Sequence, residues 1–141
     1  MKIFYHNSMY KELIKIFYLS AMVDGKLHDQ EMIMINQYKD HFIPKKELSK
    51  ININNIIKEM HTLVSAGMKP KYFLEQIKKK LSQNELNSLY ALGVETCSIN
   101  FEIVPPENAF ISDMEIIWEI PQAVIKAVKR SINLRYLHNI S

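Results

Sequence analysis

Apolar residues recur at spacings of three and four along nearly the whole chain, and this periodicity constrains the fold more than any other feature. Leu13, Ile16, Phe17, Ser20 and Ala21 line one face of a helix. Ile53, Ile56, Ile57, Met60, Leu63 and Val64 line a second, and Phe73, Ile77 and Leu81 step by four. Leu86, Leu89, Tyr90, Gly93 and Cys97 form another stripe, and Val124, Ala127, Val128 and Ile132 repeat the pattern near the end. Strand-like alternation is confined to Ile51-Asn52-Ile53-Asn54, which opens the Ile53 stripe. Three glycines and five prolines among 141 residues are too few to turn many short strands.

The breaks fall between these stripes. Asp24-Gly25 stops the first helix, and Pro44 follows the second. Gly67 and Pro70 separate the third from the fourth. Ser82 with Glu85 three residues on forms a capping box for the fifth. Pro105-Pro106 is expected in a loop between Ile99 and Ile111, with Ser112 and Glu115 as a second capping box. Pro121 has no N–H for the preceding turn, so the last helix restarts there. These signals predict an all-α fold, a compact bundle of six or seven helices of about 10–18 residues, in one domain over 1–141.

Several classes are excluded by composition. Hydrophobic residues make up 48% and charged residues 23%, a globular balance. No uncharged stretch approaches the ~20 residues of a membrane span. Residues 1–6 show no apolar signal core, and Cys97 is the single cysteine. Both features lead to the expectation of a cytoplasmic protein.

Charge is strongly segregated. Residues 1–44 balance five bases against five acids, and residues 45–84 hold nine lysines against three glutamates. Residues 85–120 carry seven acids and no base, and residues 121–141 carry four bases and no acid. Such blocks mark either a partner-binding surface or attraction between parts of one fold. The Lys78–Lys80 run lacks neighbouring arginines and an aromatic platform, so nucleic acid is not an expected partner.

Two segments resemble each other 84 residues apart. Asp24-Gly25-Lys26-Leu27-His28-Asp29-Gln30-Glu31 aligns with Asn108-Ala109-Phe110-Ile111-Ser112-Asp113-Met114-Glu115, matching Asp29 to Asp113 and Glu31 to Glu115. Each is followed by an apolar run, and each is preceded by a helical stripe. The expected plan is two helix–turn–helix units, at about 8–43 and about 82–138.

The segment Ser20-Ala21-Met22-Val23-Asp24-Gly25-Lys26-Leu27-His28-Asp29-Gln30-Glu31 resembles the signature of the tellurite-resistance TerB family and its TerB-like relatives. The resemblance implies an all-helical fold with two such units related by a pseudo-twofold. It implies a non-enzymatic stress-response or interaction domain with a protein partner, association with the cytoplasmic face of the membrane, and scope for a homo-oligomer. It also implies a divalent cation, Ca²⁺ above others, held by Asp24, Glu31, Asp113 and Glu115. Asn108-Ala109 departs from the family's Asp-Gly in the second unit, and Val23 stands where alanine is common.

From the residues alone, the same acids are also caps and turns. Asp24 and Gly25 suit a helix end, and Glu31 and Glu115 suit the third position of a helix. An EF-hand is excluded, because its first and third ligands would be Ser20 and Met22. His28 is a candidate extra ligand or a poor cap. No closely paired histidines, nucleophile elbow or phosphate-binding glycine loop occurs, and no enzyme is expected. The alternative function is a metal-free adaptor that docks a basic protein partner through residues 85–120.

Overall fold

The computed structural model describes residues 7–23, 35–37, 39–40, 42–98 and 105–136. Every regular element among them is helical. The helices are α1 (Asn7–Val23), α2 (Lys45–Leu48), α3 (Ile53–Ser65), α4 (Pro70–Lys80), α5 (Gln83–Ser98), α6 (Pro105–Ile117) and α7 (Gln122–Tyr136), with further helical residues at 35–37, 39–40 and 42. Two compact units result, Met1–Lys69 and Pro70–Ser141.

In the first unit α1 packs on α3. The stripe Leu13, Ile16, Phe17, Ser20 and Ala21 is buried as expected, but so are Ile14, Tyr18 and Leu19. The buried side of α1 is thus wider than a single stripe and leaves mainly Lys11 and Lys15 toward water, so periodicity identified only part of it. Phe17 meets Phe42 with ring centroids 5.9 Å apart. The Tyr18 hydroxyl lies 3.3 Å from Nδ1 of His61 on α3. Helix α3 starts inside the alternating segment: the Asn52 side chain caps it by accepting from the Asn55 N–H. It stops at Gly67, whose φ of 99° is left-handed. The Gly67 N–H donates to Val64 and the Met68 N–H to Leu63, which is a Schellman motif.

In the second unit α5 contacts both α6 and α7, and α4 packs on α6. The expected seams Phe73–Ile77–Leu81 and Leu86–Leu89–Tyr90–Gly93–Cys97 are buried throughout. The Ser82 box forms as read, with the Ser82 hydroxyl accepting from the Glu85 N–H and the Glu85 carboxylate accepting from the Ser82 N–H. Pro121 stands just before α7, and its carbonyl accepts from Val124 and Ile125.

The expected loop around Pro105-Pro106 is corrected. Helix α6 begins at Pro105, where a missing N–H costs nothing because the first-turn N–H groups have no intrahelical partner. Ser112 is therefore inside a helix, and the Ser112–Glu115 capping box does not form. At its other end α6 closes with a second Schellman motif. Glu119 has a left-handed φ of 50°, its N–H donates to Ile116, and the Ile120 N–H donates to Glu115. Trp118, fully buried, donates its indole N–H to the Leu74 carbonyl at 2.8 Å, while its own carbonyl accepts from Gln83 at 3.2 Å. One residue thereby joins α4 and the start of α5 to the end of α6.

Candidate functional site

Three helices of the second unit bring Tyr90, Glu115 and Lys129 together. The Tyr90 hydroxyl on α5 donates to Oε2 of Glu115 on α6 at 2.6 Å. Lys129 Nζ on α7 reaches the same oxygen at 3.1 Å. Tyr90 is fully buried, and the Glu115 and Lys129 side chains retain only 16% and 19% exposure. Burial holds the phenol far above the usual tyrosine range, and the hydrogen bond and negative charge of Glu115 push it the same way. Tyr90 is thus fixed as a proton donor, and the carboxylate it meets is already shared with a lysine.

Asp113 lies two residues before Glu115 on α6, and side chains at that spacing point to different sides of a helix. A turn would have let them converge; the helix separates them. Asp113 faces Lys71 on α4 at 4.0 Å instead. Asn108, its neighbour in the expected second turn, is an exposed helical residue. Asp24, His28 and Glu31 lie outside the described residues. Among the described residues no group of three or more histidine, cysteine, aspartate or glutamate side chains is placed to hold a metal ion.

The segregated charges meet within the second unit. Four acids of 85–120 are tied to bases on both sides of that block: Asp113 to Lys71, Glu119 to Lys78, Glu115 to Lys129, and Glu95 to Arg135. Glu85 is taken by its cap. Lys78, read as part of a lysine run, is one arm of this pattern. Cys97, on the α5 stripe, is buried.

The sequence singled out Glu115 but not its partners. Tyr90 reads as a core residue, and the signal overlooked is that a buried phenol needs an acceptor. Lys129 and Arg135 carry no local motif; only the opposed charge blocks hint at their pairing. Comparison of the chain with models of known families, with curated proteins and with solved structures finds no match.

Proposed function

We propose that the chain is a non-enzymatic helical interaction domain of the TerB-like, stress-response kind. The observation that supports this reading best is the engagement of Tyr90, Glu115 and Lys129 with one another. The polar groups at the meeting of α5, α6 and α7 hold helices together and keep Tyr90 protonated. Their arrangement suits a scaffold better than a reaction centre.

The cation branch rests on the resemblance at Ser20–Glu31. In this reading Asp24 and Glu31 are its ligands. Asp113 and Glu115 would first have to leave Lys71, Lys129 and Tyr90, so they contribute less than the sequence alone suggests. The adaptor alternative, with an acidic 85–120 face, meets the same cost, because its described acids already hold the chain's own cations and cap. Calorimetric titration of chelator-stripped protein with Ca²⁺, repeated on Asp24→Asn and Glu31→Gln, tests the cation branch. Saturable heat abolished by either variant and retained by Glu115→Gln supports it. Absence of heat removes the cation. Cross-linking of the full chain in cells tests the interaction role, and failure to recover any specific partner would remove that too.

A further inference from the structure

Helix α7 keeps an uncharged line of residues uncovered. Ala123, Ala127 and Ser131, at steps of four, share one side with Leu134, and all four are exposed. Leu134 retains 71% of its surface. The sequence assigned Ala127 to a buried seam, but Ile125 and Ile132 are the residues of α7 that turn inward. Beside this line α7 and α5 leave a mostly apolar groove of about 240 Å³, walled by Ala91, Leu92, Ala127, Val128 and Ile132 and by the mutually paired Glu95 and Arg135.

With Glu95 neutralised by Arg135, the charge left beside this surface is of one sign. Lys126 and Arg130, four apart and exposed, run parallel to the uncharged line. Lys129 and Arg135 on the same helix are taken by Glu115 and Glu95. Among the described residues neither Lys126 nor Arg130 makes an ion pair. No acid occurs anywhere in 121–141.

We propose that the α5–α7 groove and the exposed side of α7 form a docking face for an acidic amphipathic helix of a partner protein. Such a helix lays aliphatic side chains, spaced three and four apart, against Ala91, Ala127 and Leu134, and sets carboxylates along Lys126 and Arg130. Charge complementarity selects this occupant. A second copy of α7 would bring two positive rows together. Among the described residues of α7, Leu134 is the one large apolar side chain exposed for a membrane to take up, far less apolar area than an interfacial helix offers. The polarity is the reverse of the sequence expectation of an acidic face meeting a basic partner. The proposal rests on the reading of the chain as an interaction domain and names the surface and the chemistry of its partner.

The test uses the full chain and a panel of labelled helical peptides with leucines at three-and-four spacing and glutamates on one flank. Binding is followed by fluorescence anisotropy, and contacts are mapped by amide chemical shifts. The expected result is saturable binding that weakens with added salt, with shifts centred on Ala91, Ala127 and Leu134. Lys126→Glu with Arg130→Glu should weaken it by about tenfold or more, and Leu134→Asp should weaken it independently. Lys126→Gln with Arg130→Gln, a milder pair, guards against loss of fold, which circular dichroism checks. Several results would overturn the proposal: no peptide bound below about 1 mM, lysine-flanked peptides bound equally well, unchanged affinity in the variants, or shifts elsewhere. Binding of phosphatidylglycerol vesicles in place of the peptides, lost in the same variants, would reassign the face to lipid and also overturn it. Failure here leaves the cross-linking result standing, so the docking face and the underlying interaction role fail separately.

Discussion

Replacing Glu115 with glutamine asks whether this carboxylate is a clasp between helices or a vacant ligand. In the wild type one oxygen accepts from the Tyr90 hydroxyl at 2.6 Å and pairs with Lys129 at 3.1 Å. A hydrogen bond to a charged acceptor contributes about 1.5–3 kcal/mol. Stranding a fully buried partner charge costs ~3–5 kcal/mol, but Lys129 keeps 19% of its side-chain surface, so water still relieves it. The amide retains a weaker acceptor for Tyr90. Together these terms set the expected loss for Glu115→Gln at about 2–3 kcal/mol. Tyr90→Phe removes only the hydroxyl and should cost about 1–2 kcal/mol. The double variant should lose less than the sum, with a coupling of roughly 1 kcal/mol, because both changes delete the same bond. Urea unfolding followed at Trp118 reads the effect locally, since it is the only tryptophan and sits three residues from Glu115 in the same unit. A loss below about 0.5 kcal/mol, or additivity within ~0.3 kcal/mol, would refute the clasp. A vacant cation site behaves oppositely: removing one of its repelling charges stabilises the ion-free protein and weakens Ca²⁺ binding.

Tyr90 should also make the protein sensitive to alkali. The folded chain keeps the phenol proton to higher pH than the unfolded chain, so this stabilisation is complete below about pH 10 and is lost above it. The slope from this one group approaches ~1.4 kcal/mol per pH unit, and it should vanish in Tyr90→Phe when unfolding is compared between about pH 9 and 11. Glu119→Gly should stabilise the protein by up to about 1 kcal/mol, because it relieves a left-handed side chain and gives up only an exposed contact with Lys78; denaturant midpoints will show it. Ser82→Ala should cost about 1 kcal/mol by removing the acceptor for the Glu85 N–H, and amide exchange in the first turn of α5 should quicken.

The two Schellman motifs show how unevenly local signals are written. At Gly67 the residue type announces the left-handed turn, because glycine adopts it without a Cβ clash. At Glu119 nothing local does; the turn is imposed where Trp118 is buried against Leu74 and Pro121 opens the next helix. The Ser112–Glu115 pair misleads for a related reason. A capping box is four residues long, and the same four residues sit equally well inside a helix that started earlier. Pro105-Pro106 was such a start, and it read as a loop because proline suits both.

The candidate site divides in the same way. Its acids were legible, because the aligned segments pointed to Asp113 and Glu115. Their partners were not, since Lys71, Tyr90 and Lys129 stand 42, 25 and 14 residues away from them in the chain. What the sequence alone determined was the helical class, the seams of α4 and α5, the Ser82 cap and the restart at Pro121. These depend on contacts within about four residues, which spacing records. Tertiary structure alone decided that α1 buries Ile14, Tyr18 and Leu19 beyond its stripe, that acids of 85–120 pair with bases from both flanking blocks, and that α7 turns Ile125 and Ile132 inward. Those outcomes depend on which helices become neighbours, and no stretch of sequence carries that information by itself.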